Sequence, residues 1–155
     1  MRGSWFFFYG TLTEEHDNPV TRQVLPFLKG GQRASVRGRL RAVRTRDGWY
    51  PVLRSGPGRV AGRVYRTGPN FSAKQLRLLD AYENFDLRQP GRSEYLRRTL
   101  RVRIARGGTV LAHVYVHNRP WHPGLPVIAG GDFAGFLVSR RVRALGSGLD
   151  GARRR

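Results

Sequence analysis

Glu83 is the residue whose position most asks for chemistry. The spacing predicts a helix from Phe71 to Glu83, with Ser72 and Gln75 as a capping box and Phe71 stapled onto Leu76. Leu76, Leu79 and Tyr82 recur at helical spacing and build its inward face. Glu83 stands four residues beyond Leu79 and seven beyond Leu76, so it projects near that face. A carboxylate there is costly to bury unless something pairs with it or uses it. As a helix-end glutamate it can equally reach solvent or an arginine. A second stretch collects hydrogen-bond donors. From Ser4 to Leu12 the chain reads SWFFFYGTL, a run of five aromatic residues from Trp5 to Tyr9 broken by Gly10. Gly10 lets the chain turn sharply and lets a ligand approach bare backbone. Thr11 and Thr13 then gather peptide N–H groups and hydroxyls at the strand end. The same glycine can simply turn a core strand.

The elements that must position these groups follow from periodicity. The aromatic run reads as a strand buried on both faces, at the centre of a sheet or barrel. Asn18 and Pro19 form an N-cap and first helical position. Val20, Val24, Phe27 and Leu28 continue that helix, Pro26 bends or shortens it, and Gly30-Gly31 stops it. Ser35 to Val43 alternates as a half-buried strand, Asp47-Gly48 signals a hairpin, and Trp49 to Leu53 returns. Ser55 to Gly58 reads as another turn, and Val60 to Tyr65 as the next strand, with Gly62 at a bulge or barrel corner. Asn84 to Arg92 is a polar loop. Tyr95 to Ala105 and Thr109 to His117 pair as a hairpin, and Asn118 to Gly131 is a surface loop. Asp132 to Leu145 reads as a closing helix, with Phe133, Phe136, Leu137 and Val142 on its apolar side. Residues 1–145 are expected to form a single domain, followed by a basic, disordered tail at 146–155.

Composition excludes several function classes. The 155 residues contain no cysteine, which rules out disulfides, thiolate zinc sites and cysteine nucleophiles. His16, His113, His117 and His122 lack metal-ligand spacing, and neither a Ser-His-Asp arrangement nor a phosphate loop is legible. The N-terminal apolar run is too short for a signal core, and no segment approaches a membrane span; a soluble, cytoplasmic protein is expected. Net charge is +19, and apart from Lys29 and Lys74 all 27 basic residues are arginine. Such a balance fits a nucleic-acid binder, but the arginines are scattered along the whole chain, which favours compositional bias over a dedicated face. An anionic partner stays open.

Four segments together carry a resemblance. FYGTL at Phe8 to Leu12, LDAYE at Leu79 to Glu83, SEYLRRTLRV at Ser93 to Val102 and AHVYV at Ala112 to Val116 stand in the order found in the γ-glutamylcyclotransferase-like family (AIG2-like, γ-glutamylamine cyclotransferase-like). The chain resembles that family from about Phe6 to Gly135. The resemblance implies an α+β fold: a small mixed, mostly antiparallel β-barrel with flanking helices. It implies attack of the α-amine of a γ-glutamyl group on its own γ-carbonyl, giving 5-oxoproline and a free amine or amino acid. It assigns Glu83 as catalytic general acid/base, sets the substrate's glutamyl end against Tyr9, Gly10, Thr11 and Leu12, and calls for no cofactor. Tyr95 is a hydroxyl placed to line the site and Tyr115 a second; either can instead be barrel packing. The chemistry asks for the same parts. The α-ammonium must lose a proton and the departing amine gain one, which a desolvated carboxylate can do. Charge gathering on the γ-carbonyl needs fixed donors. Many relatives have glycine after the glutamate and a short loop; here Asn84 follows and the loop runs to Ser93. That longer loop motivates a γ-glutamyl group on a larger carrier. The alternative is a non-catalytic module of the same fold that binds nucleic acid or another polyanion through its arginines.

Overall fold

The computed structural model describes residues 3–10 and 18–145. Thr11, Leu12 and the expected tail at 146–155 lie outside the described residues. Five strands close a barrel: β1 (Trp5–Phe8), β2 (Leu28–Thr45), β3 (Gly48–Thr67), β4 (Tyr95–Ile104) and β5 (Thr109–His117), in the spatial order β1-β3-β2-β4-β5. All neighbouring pairs are antiparallel except β1 with β5, which is parallel. Three helices flank it: α1 (Pro19–Val24), α2 (Ala73–Tyr82) and α3 (Phe133–Arg140).

β1 is a strand with no solvent side. Phe7 packs into one core cluster with Val36, Leu40 and Val114, while Phe6 and Phe8 pack into another with Phe71, Leu79 and Tyr115. Phe6 and Phe7 are fully buried, each contributing about 1.5–3 kcal/mol of apolar burial. The register Phe7↔Val64 and Phe8↔Arg63 brings β1 so close to β3 that a Cβ on Gly62 would lie 2.3 Å from the Phe8 carbonyl oxygen. Gly62 therefore marks a close backbone approach; its pairing with Ala34 is regular, with no bulge there.

Several local expectations hold. Asn18 Oδ1 accepts from the Thr21 N–H at 2.9 Å, and Pro26 converts the end of α1 into a 3₁₀ turn at Leu25–Phe27. The capping box at Ser72 and Gln75 opens α2. Others are corrected. Leu28 and Gly30-Gly31 belong to β2, where a register shift between Gly30 and Gln32 absorbs the glycines as a bulge. Ser55 to Gly58 reverses nothing. β3 pairs with β2 on both sides of it, and these residues are extra ones between the Arg37↔Arg59 and Arg39↔Arg54 pairs. The β2–β3 hairpin closes on Thr45↔Gly48, so Arg46 and Asp47 form the turn. The closing helix ends at Arg140, where Arg141 adopts φ 53°; beyond it Trp49 bridges to Ala144.

Candidate active site

The hollow of interest opens where β1 leaves its ladder. It has a volume of about 350 Å³, and its walls include Tyr9, Gly10, Tyr50, Pro51, Glu83, Glu94, Tyr95 and Tyr115. Gly10 is there because a Cβ would stand 2.9 Å from the Pro51 side chain. Among the described wall residues none is basic, although the chain carries +19.

Glu83 closes α2 as its C-cap, its N–H donating to the Leu79 carbonyl at 3.1 Å. It accepts no hydrogen bond and forms no ion pair with any described residue. Burial, then the nearby Glu94 charge, pushes its carboxyl up from 4.5 to about 8. The negative end of α2 adds to the cost of ionising it. Asn84 follows with φ 50°, a left-handed position that asparagine tolerates next best after glycine. The backbone there suits glycine or asparagine alike.

Glu94 is a second wall carboxylate that the sequence reading missed. The Glu94 N–H donates to the Asn84 carbonyl at 3.0 Å, and Asn84 Nδ2 donates to Glu94 Oε2 at 3.0 Å. The loop from Asn84 is thereby pinched shut at its base, which brings Glu94 beside Glu83 despite eleven residues of separation. Inside the loop Ser93 Oγ accepts from the Asp86 N–H at 2.9 Å. The Glu94 carboxylate, by charge and hydrogen bond, adds to burial in raising Tyr50 to about 12. The available signal was the glutamate adjoining Tyr95 in SEY, since a residue before a strand start shares the barrel mouth.

The three expected tyrosines all line the hollow, and each hydroxyl is engaged by the protein. Tyr9 donates to the Tyr115 carbonyl, and Tyr95 donates to the Pro51 carbonyl at 2.8 Å. Tyr115 donates to Asp80 Oδ1 at 2.7 Å, which also receives Arg97 Nε at 3.0 Å. Burial first, with neighbouring acidic groups, raises all three phenols above their ordinary value. They hold the walls in register as neutral donors. Tyr115 and Arg97 are cross-strand partners, so one α2 aspartate fixes β4 and β5 together. His113 lies tilted against Phe6 with ring centres 4.9 Å apart, and His117 meets Tyr95 edge-on at 5.3 Å. Among the described residues no three acidic or histidine side chains cluster as a metal site. No helix among them is long and apolar enough to cross a membrane.

Solved structures share this architecture. An AIG2-like protein from Mus musculus aligns at 23% identity over 82% of this chain and 86% of its own, with a TM-score of 0.57. The ytfP protein from Escherichia coli aligns at 26% identity over 83% and 95%, with a TM-score of 0.55. A structure described as gamma-glutamyl cyclotransferase aligns at 17% identity over 81% and 70%, with a TM-score of 0.53. No curated protein matches the chain in sequence. The sequence profile described as "Gamma-glutamyl cyclotransferase, AIG2-like" matches residues 6–135, and the chain belongs to that family.

Proposed function

We propose that the protein cyclises a γ-glutamyl group to 5-oxoproline and releases an amine or amino acid, with Glu83 as the proton carrier. The observation that carries the reading is a carboxyl held near pKa 8 in a hollow with no basic residue among its described walls. At that value Glu83 can both accept and donate a proton near neutral pH. It takes a proton from the α-ammonium, and the freed amine attacks the γ-carbonyl carbon. The attacking nitrogen gives up one further proton as the bond from that carbon to the leaving nitrogen breaks; Glu83 returns its proton to the leaving nitrogen, which takes up the second as well and departs as an ammonium. Gly10 on the wall would offer bare backbone to the glutamyl end, and confinement in the hollow favours the folded conformer that ring closure needs. Thr11 and Leu12 keep the role the family resemblance gives them. Tyr9, Tyr95 and Tyr115 shape the site through their walls.

One observation favours a larger leaving group. A second hollow of about 500 Å³ shares Tyr50, Asn84 and Glu94 with the first and continues to Arg92, His117 and Arg119. A group longer than a simple amine would extend there.

The test is release of 5-oxoproline from a panel of γ-glutamyl amines, amino acids and carrier-linked γ-glutamyl groups, with wild type beside Glu83→Gln. Release by wild type alone supports the reading, and preference for the carrier-linked members supports the larger leaving group. Equal release by Glu83→Gln would remove Glu83 from the mechanism.

A further inference from the structure

Strand register gathers arginines that the sequence scatters. β3, β2 and β4 are neighbours in the barrel. Arg37 faces Arg59 and Arg39 faces Arg54 directly across one ladder, while Ser35 pairs with Arg103 across the next. Arg101 lies two residues before Arg103 on the same exposed face. The alternate residues Val36, Leu40, Val60 and Val102 are buried, so the pleat sends these arginines outward.

The arrangement is costly and the protein does not relieve it. Like charges directly opposite on a sheet destabilise it, and a guanidinium cannot shed its proton. No described carboxylate pairs with Arg37, Arg39, Arg59, Arg101 or Arg103. Arg59 is pinned among them. Its Nη2 donates to the Ser35 carbonyl at 2.8 Å and its Nε to Ser35 Oγ at 3.1 Å. Partial burial, then Arg103 and Arg37, lowers its pKa. Asp132 lines a hollow together with Arg33 and Arg63 at one edge of this face.

We propose that this outer face binds the phosphate backbone of double-stranded nucleic acid without reading its sequence. Outward residues recur about every 6.8 Å along a strand, and three strands span about 10 Å, the scale of a duplex groove. Trp121, at the Arg54 end, is already taken: the Arg41 and Arg54 guanidiniums lie 5.1 and 5.6 Å from its ring centre. Unstacked bases therefore find no ring to stack on there, which favours a duplex over a single strand. Arg37, Arg101 and Arg103 are set apart from the hollow along their strands: Arg103 is eight residues along β4 from Tyr95, about 27 Å, whereas Arg54 stands only three residues from Pro51 on the hollow's wall. The proposal is independent of the cyclisation chemistry.

The test compares two triple variants of the full chain with equal net charge. Arg37→Gln/Arg101→Gln/Arg103→Gln strips the face; Arg77→Gln/Arg88→Gln/Arg140→Gln removes the same charge from exposed positions elsewhere. Each is titrated with a short fluorescein-labelled duplex, with the matching single strand and with heparin as competitor, after thermal melts show that both variants fold. The face variant is expected to bind the duplex about tenfold more weakly, with a salt slope smaller by about 2–3. The second variant should stay within about twofold of wild type. Equal weakening in both variants, tighter binding of the single strand, or heparin competing as well as duplex at equal charge would overturn the proposal.

Discussion

The hollow and the arginine face are two concentrations of like charge that the protein treats in opposite ways. In the hollow, Glu83 and Glu94 stand together, and burial with mutual repulsion pushes Glu83 to about 8. The stress ends when one carboxyl keeps its proton. On the face, Arg37, Arg59 and Arg103 crowd around Ser35, and arginine has no such escape. An internal proton settles the first crowding, whereas the second is left to water and counterions at the surface. Charge on this chain is sorted by strand pairing and loop closure, and proximity along the sequence plays little part.

The comparison breaks most sharply at Glu83. Glu83→Gln keeps the shape and removes the proton carrier, so 5-oxoproline release is expected to fall by about 10²–10⁴ with folding intact. In wild type, kcat/KM should rise with pH through an inflection near 8 and level off above it, because the attacking amine needs an ionised Glu83. The arginine-face triple variant should leave that profile unchanged.

Between the two regions lies a matched charge pair. Asp80 accepts from Arg97 and Tyr115, and both ionic side chains are largely covered, at 16% and 18% exposure. Asp80→Ala strands a guanidinium and a phenol at once, so an expected loss of about 2–3 kcal/mol follows, read by denaturant melts. Asp80→Asn restores an acceptor for Tyr115 and should recover part of it. An unchanged midpoint for Asp80→Ala would show that the network is solvated.

Much of this was legible from residue types. The aromatic run announced a strand with two buried faces because no polar residue interrupts Trp5 to Tyr9, and α2 announced itself through Ser72 and Gln75. Glu83 was traceable to a buried helix face by counting from Leu76 and Leu79. The failures share a cause. Gly and Pro mark a departure from regular backbone without saying whether the chain reverses, so Ser55 to Gly58 looked like a turn and proved to be an insertion inside β3. Glu94 and the arginine face depend on which residues lie opposite one another, information held by register. All three tyrosines line the hollow, but the acceptors that occupy their hydroxyls, Pro51, Tyr115 and Asp80, come from distant strands and a helix.

The smallest effects test how the two carboxylates speak to each other. Folded Glu83 titrates at about 8 and its unfolded counterpart at about 4.5, so between those values the native state holds a proton that the unfolded state has released. Stability must therefore fall as pH rises through that window. Glu83→Gln cannot titrate and should flatten the fall; each kcal/mol recovered at high pH is worth about 2–4 °C in Tm. Glu94→Gln acts on the same quantity from outside. Burial is the larger cause and survives the substitution, while the Glu94 charge is the second and disappears. The inflection in kcat/KM should consequently move to lower pH yet remain above the ordinary carboxylate value, leaving the variant a few-fold faster than wild type on the acidic limb. An inflection that does not move would mean that water between the carboxylates screens one from the other, and the raised Glu83 would then be the work of burial and the end of α2 alone.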